Sequence, residues 1–398
     1  MLQANRGTVK PSANFSASAD AEVLHKAMKG LGTDEDAILQ LVTARSNAQR
    51  QEIKASFKTL YGKDLIDDLK GELGGKFETL IVALMTPPIT YDVTSLRNAI
   101  KGAGTDEKVL VEILASRTSQ QVKQIVAAYK QEYDDDLEKD ITGDTSGHFQ
   151  RLLVILLQTG IQAESIESDA QALFKAGEQK FGTDEQSFVT ILGNRSAEHL
   201  RKVFDAYMKL SGYEIEESIK RETSGNLKDL LLAVVKCARS VPAYFAETLY
   251  YAMKGAGTDD NTLIRVMVTR SEVDLLDIRA QFRRLFACSL HSMIKGDAGG
   301  DYRKALLALC GGDDSSPPVS DTNRLRMASS STLRFSPSLS LSKPKKSSLS
   351  VSESNTLRRA VAVSSSPSCS SPALQNPLVI VDVFTLFHAV RIHRWSWA

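Results

Sequence analysis

Four acidic residues, Glu72, Asp144, Glu222 and Asp297, each stand forty positions after the second glycine of a short turn, at Gly32, Gly104, Gly182 and Gly257. The turns read KGLGTD, KGAGTD, QKFGTD and KGAGTD. Glycines there permit positive φ and leave backbone carbonyls uncovered. A carboxylate brought back from forty residues on would add charge where those neutral oxygens converge. That is the donor set of calcium, which takes about six to eight hard oxygens from carbonyls, carboxylates and water. One carboxylate per turn implies weak affinity and leaves positions for an outside phosphate oxygen. No His or Cys accompanies the turns, which argues against zinc, and magnesium demands a tighter octahedron. The plain alternative is a turn followed by a helix cap. Thr33, Thr105, Thr183 and Thr258 suit the N-cap position, and the Asp after each suits the positive end of a helix.

The elements that must position these residues recur with them. The turns lie 72, 78 and 75 residues apart. In each interval an Arg follows the second glycine by thirteen positions (Arg45, Arg117, Arg195, Arg270), and a glycine follows the acid by three (Gly75, Gly147, Gly225, Gly300). Periods of this size mark copies of one structural unit. The Arg residues are expected to end helices and reach backbone carbonyls. Apolar residues recur at helical spacing, as in DEDAILQLVTAR and DEKVLVEILASR, and LKDLLLAVVKCA is apolar nearly all round, the mark of a buried helix. Strands are not expected. Pro87, Pro88 and Pro242 fall where helices must stop. The chain divides into an arm (1–14), repeats at 15–86, 87–159, 166–241 and 242–313, a connector (160–165) between two halves, and a tail (314–398).

Hydrophobic residues make up 42% of the 398, enough for a packed core. Charge is balanced overall, but residues 313–398 hold ten basic and five acidic side chains, leaving a mildly acidic remainder. Such a core argues against nucleic acid as a partner. Four scattered cysteines without a C-x-x-C pair fit a reduced compartment and small core positions. The start lacks the apolar stretch of a cleavable signal peptide, and no run of 18 apolar residues occurs. The tail holds 21 Ser between 313 and 372 and is expected to be disordered. Its apolar end, PLVIVDVFTLFHAVRIHRWSWA, reads as an end unrelated to the fold or as a membrane-surface segment. P-loop, GxSxG, HExxH and EF-hand patterns are missing, and no nucleophile-and-base arrangement appears, so no enzyme is expected.

MKGAGTDDNTLIRVMVTRSEVDLLDIR with MIKGDAGGDYRKALLAL resembles the fourth repeat of an annexin, and all four units carry the GxGTD turn or its variant with an acid forty residues on. The resemblance covers roughly 5–314. It implies an all-α fold of four repeats of about five helices forming a curved disc, with Ca2+ loops on the convex face contacting phosphatidylserine. Residue by residue, the implied metal ligands are Met28, Gly30, Gly32 and Glu72; Ile100, Gly102, Gly104 and Asp144; and Met253, Gly255, Gly257 and Asp297. The third turn departs from the pattern, with Lys180 in place of the first glycine, so Gly177, Lys180, Gly182 and Glu222 are the implied set. Leu31 and Phe181 are the implied membrane contacts; a family member has Trp where Phe181 stands. Asp92, Glu112, Arg117 and Arg265 correspond to a polar axis between the halves, in which Ser95 replaces an acid. The resemblance further implies a cytoplasmic protein recruited peripherally to anionic phospholipid membranes when calcium rises, with an extracellular pool as an alternative, and assembly there as a homotrimer. The short N-terminus is not expected to recruit a helical-peptide partner. A helical scaffold for protein partners, with the turns serving only as caps, is the rival reading.

Overall fold

The computed structural model describes residues 5–30, 32–102, 104–162, 164–178 and 184–314. The chain separates into two compact units, Met1–Ser331 and Thr332–Ala398. The second unit, and with it the expectation of a disordered tail from 315 onward, lies outside the described residues.

The described residues hold nineteen α-helices and no strand. Repeat 1 contributes α1 (Ala17–Ala27), α2 (Glu35–Thr43), α3 (Asn47–Tyr61), α4 (Leu65–Glu72) and α5 (Gly75–Met85), and repeat 2 contributes α6 (Pro88–Ile100), α7 (Glu107–Ser116), α8 (Ser119–Tyr133), α9 (Leu137–Asp144) and α10 (Gly147–Gln158). Repeat 3 follows with α11 (Ile166–Glu178), α12 (Glu185–Asn194), α13 (Ala197–Ser211) and α14 (Ile215–Glu222), and α15 (Gly225–Met253) runs on into repeat 4. The last four are α16 (Asp260–Arg270), α17 (Leu275–Phe286), α18 (Leu290–Asp297) and α19 (Gly300–Cys310). Within α15 Ser240 leaves helical geometry (φ −163°, ψ 107°). Its hydroxyl accepts from the Ala243 N–H at 3.3 Å, so it caps a second helix in which Pro242 has no N–H to leave unpaired. With α15 split there, each repeat has five helices.

The four Arg residues stand at helix ends as expected, and Arg45 Nη1 reaches the Ala44 carbonyl at 3.1 Å, but their main partners are carboxylates. Arg45 Nε donates to Asp20 at 2.6 Å, Arg117 Nε to Asp92 at 2.8 Å and Arg195 Nε to Asp169 at 2.7 Å, tying the end of each second helix to the first. Charge-assisted paired donors to a carboxylate outweigh a lone carbonyl. In repeat 4 Phe245 occupies the acid's place, so Arg270 turns to Asp274 (2.8 and 2.6 Å) and stacks 4.8 Å above the Phe245 ring. At Asp169 burial alone would raise the carboxyl, but hydrogen bonds from Arg195 and His199 outweigh it and hold it below the usual carboxylate range.

Two cores form. One joins repeats 1 and 4, with Leu80, Ile81 and Leu84 of α5 in the same cluster as Leu263 of α16 and Leu306 and Leu309 of α19. The other joins repeats 2 and 3 through residues such as Leu152, Leu153, Phe188 and Phe204. A fully buried aliphatic side chain contributes about 1.5–3 kcal/mol, so each repeat draws much of its stability from its partner. The N-terminal arm straps the first pair. Val9 N–H donates to Ser271 O (3.0 Å) and Thr8 Oγ1 to Leu309 O (2.6 Å), while Gln49 of repeat 1 exchanges hydrogen bonds with the Ser12 backbone. Cys237 and Cys310 are buried, and burial pushes both thiols up to about 12, which keeps them protonated.

Candidate metal centre: four turns and a buried seam

Each acid is the last residue of its repeat's fourth helix: Glu72 on α4, Asp144 on α9, Glu222 on α14 and Asp297 on α18. A carboxylate at the negative end of the helix dipole is unfavourable without a cation nearby. The turns come to meet these acids. Thr33 Oγ1 donates to Glu72 Oε2 at 2.8 Å, and Thr258 Oγ1 donates to Asp297 Oδ2. In repeat 2 Thr105 reaches the backbone oxygen of Asp144 instead, at 3.4 Å. The expected Thr caps are thereby corrected: Asp34, Asp184 and Asp259 occupy the N-cap positions and their side chains accept from the helix N–H groups. Asp106 holds the same position without that bond. Thr33 and Thr258 are free to face their acids because Asp34 and Asp259 take the caps.

Every turn closes by one backbone bond. The N–H of Asp34, Asp106 and Asp259 donates to the carbonyl seven residues back, on Ala27, Ala99 and Ala252 (2.8, 2.9 and 2.8 Å). In repeat 3 Asp184 reaches Ala176, eight back, at 3.1 Å, so that turn is one residue longer. The sequence register runs from the second glycine to the acid and does not cross this insertion, so spacing alone does not reveal it. In repeats 1 and 4 both turn glycines have positive φ: 119° and 95° at Gly30 and Gly32, 124° and 106° at Gly255 and Gly257. In repeat 2 only Gly104 does (96°), and Gly102 does not. Across the fully described fourth turn, the carbonyls of Met253, Gly255 and Gly257 accept no backbone hydrogen bond from the described residues. Three open carbonyls beside a carboxylate fit a hard cation that prefers oxygen. Met28, Ile100 and Met253 are buried at the turn edges, with exposed glycines beyond them. Among the described residues no three His, Cys, Asp or Glu converge on one point. Gly177 is buried against Phe188 and Tyr207. Leu31, Lys180, Phe181 and Gly182 lie outside the described residues.

The turn ends of different repeats adjoin. Glu35 and Lys76 of repeat 1 line one cleft with Asp301 and Tyr302 of repeat 4. Glu107 of repeat 2, Asn226 of repeat 3 and Asp259 of repeat 4 line another, of about 490 Å³.

The four seam residues pair internally. Arg117 makes two bonds of 2.8 Å to Asp92, and Arg265 bonds Glu112 at 2.9 and 2.8 Å, reaching from repeat 4 to repeat 2. All four side chains are nearly sealed from water. Burial would lower the Arg117 guanidinium, but Asp92 more than compensates and raises it. Ser95 donates to the Tyr91 carbonyl at 2.8 Å. Burial pushes the Tyr91 hydroxyl up to about 12, so it stays neutral.

Comparison with known proteins agrees with this architecture. The sequence profile of the family Annexin matches residues 19–84, 91–156, 168–234 and 244–309. Annexin A5 of Macaca fascicularis is 66% identical over 320 residues, covering 79% of this chain and all of that one. A crystal structure of chicken annexin V in complex with Zn2+ superposes with a TM-score of 0.75 at 65% identity, covering 78% of this chain and all of the other. A calcium-bound annexin (Sm)1 aligns at 35% identity with a TM-score of 0.68, covering 78% of this chain and 94% of its own. Matches to all four repeats, on a frame whose turns and acids are brought together as described, place this chain in the annexin family.

Proposed function

We propose that the protein binds Ca2+ at these turns and through it attaches, peripherally and reversibly, to membranes bearing phosphatidylserine. The observation that carries the reading is the fourth turn, where the unbonded carbonyls of Met253, Gly255 and Gly257 accompany an acid drawn in by Thr258. The calcium-bound relative supports the choice of metal, and the single carboxylate per turn favours an oxygen-seeking ion over one held by His and Cys. Bound calcium would reverse the local charge of an acidic surface and offer open coordination positions to lipid oxygens. Asp297, Glu72 and Asp144 hold the ion, the carbonyls of the turn glycines complete the cradle, and several weak sites acting together raise the effective concentration seen by each next one. Among the described residues no helix is long and apolar enough to cross a membrane. Recruitment from the cytoplasm when calcium rises, contact through Leu31 and Phe181, and trimers on the lipid surface belong to the same proposal and are supported by family membership. Repeat 2 is the weakest of the three short turns, because Gly102 lacks the positive φ of its counterparts.

The test is co-sedimentation with phosphatidylserine or phosphatidylcholine vesicles, with calcium, zinc or chelator. Pelleting only with calcium and phosphatidylserine is expected. Pelleting in chelator, or with phosphatidylcholine alone, would reject the reading, and zinc replacing calcium at equal concentration would reject the choice of metal. Crosslinking on the vesicles reads the trimer.

A further inference from the structure

We propose that the cleft between repeats 2 and 3, at the helix ends remote from the turns, is a docking site for a non-helical peptide segment of a partner protein, which enters with one valine-sized side chain and a backbone carbonyl. The cleft holds about 310 Å³, with Val122, Leu156, Leu200 and Val234 among its walls. Its polar lining is incomplete. Arg195 donates through Nε and Nη2 to Asp169 at 2.7 and 2.9 Å, while its Nη1 is buried without a hydrogen-bond partner. Only 7% of that side chain is exposed. Thr159 Oγ1, across the same cleft, is likewise buried and unpartnered. A buried donor with no acceptor is costly, so both groups call for a ligand atom. The guanidinium charge is already answered by Asp169, and Glu164 adds a second acid near it. The spare N–H therefore suits a neutral carbonyl better than another carboxylate.

The other pair of repeats shows what such an occupant looks like. Between repeats 1 and 4 the N-terminal arm crosses the corresponding place: Thr8 Oγ1 donates to the carbonyls of Ser271 and Leu309 at 3.3 and 2.6 Å, and Val9 N–H donates to Ser271 O at 3.0 Å. Gly7 lies so close to the Glu272 backbone that a Cβ would meet it at 2.4 Å. Counted 75 positions back, Ser271, Glu272 and Leu309 become Ser196, Ala197 and Val234, and all three line the cleft. Val9 is 4% exposed where it sits, so the place admits a β-branched side chain. On the facing repeat, Arg50 stands 72 positions before Val122. The smaller, uncharged Val122 makes the second cleft roomier and more apolar. Its rim carries Ile161, 64% exposed, on a connector pinned by the bond from Gln162 N–H to Asn194 O at 2.8 Å. Helices α7 and α12 begin at the turns and end at the cleft, ten residues each, which is roughly 15 Å of helix. A docked segment and a bound cation therefore need not compete.

The probe is a synthetic peptide of residues 6–12 of this chain, RGTVKPS, blocked at both ends and compared with the same peptide carrying Val9→Asp. It is titrated into the full chain in chelator, so the outcome does not depend on the calcium reading, and followed by calorimetry and by methyl NMR. Binding is expected to shift the methyl signals of Val122, Ile161 and Leu200 and to leave those of the chain's own Val9 in place. Ala115→Phe fills the cleft from α7, and Arg195→Lys keeps a charge beside Asp169 while removing the spare donor. Each, like Val9→Asp in the peptide, is expected to weaken binding about tenfold or more. No shift at the three cleft residues, or equal binding by Ala115→Phe, overturns the proposal. Shifts at Val9 alone would mean that the peptide had replaced the arm in the other pair, which overturns it as well. Equal binding by Arg195→Lys, with loss in Ala115→Phe, overturns the part given to Arg195.

Discussion

Glu112 and Asp297 are carboxylates of the same fold with opposite circumstances. Glu112, in the middle of the seam, is 2% exposed and receives two bonds from Arg265. Asp297, at the end of α18, takes a threonine hydroxyl and pairs with no cationic side chain among the described residues. Inside the seam, a charge left alone would cost several kcal/mol, so each is matched by a guanidinium built into the chain. At the turns of repeats 1 and 4 water tolerates an acid with no cationic partner among the described residues, a situation suited to an outside cation. The difference teaches that in this molecule the buried acids are neutralised from within the chain, while the turn acids of repeats 1 and 4 have no built-in cation among the described residues.

The comparison is broken most severely at the seam. Arg265→Met, which strands Glu112, is expected to lower unfolding stability by about 3–5 kcal/mol, read as the urea midpoint in chelator. Adding Glu112→Met should recover most of that loss; no recovery would mean that the pair does more than neutralise itself. Next in size is the turn backbone. Gly257→Ala must place a side chain at φ 106° and is expected to cost about 1–3 kcal/mol, together with loss of the fourth calcium in calorimetry.

Acid titration gives a smaller effect. The Asp169 and Asp140 carboxyls would be raised by burial alone, but the donors around each hold them lower when folded than when unfolded. Their contribution is therefore fully present above the unfolded value of about 4 and is lost as pH falls through the depressed folded values. Stability should stay level from pH 7 to about 5 and drop below about 4. Asp169→Asn should make that acid limb shallower; an unaltered limb would remove the pair from the account. Smallest is Asp297→Asn in chelator, expected within about 0.5 kcal/mol of wild type, while its vesicle binding needs more calcium. A large loss of stability without calcium would show that Asp297 is a structural acid like Glu112, and the contrast would collapse.

What the sequence revealed depended on whether the signal was repeated. The acid forty residues past the second glycine stands out because it occurs four times, and helical periodicity marks the elements between. The partner of each Arg was harder to read. Asp20, Asp92 and Asp169 precede their Arg by 25, 25 and 26 residues, and the fourth repeat breaks the pattern with Phe245. A constraint met by different residues in different copies leaves no common letter to find. The sequence does not separate the Thr and Asp roles at the turn, because both residue types cap helices and propensity cannot say which hydroxyl or carboxylate finds a second partner. The pairing of repeat 1 with repeat 4 and of repeat 2 with repeat 3 depends on long-range packing that periodicity does not encode.

That pairing carries a consequence for how the chain is made. Repeats 2 and 3 are neighbours in sequence and can complete their shared core as soon as both have been synthesised. Repeat 1 is made first, yet its apolar face is covered by residues of α16 and α19, near the end of the described chain. During synthesis it must wait, partly exposed, for a partner that arrives last, and such waiting segments are where chaperones bind and misassembly begins. Ribosome-bound chains arrested after repeat 3 should accordingly resist protease in repeats 2 and 3 while repeat 1 is still cut. The first residues to leave the ribosome are among the last to be safe.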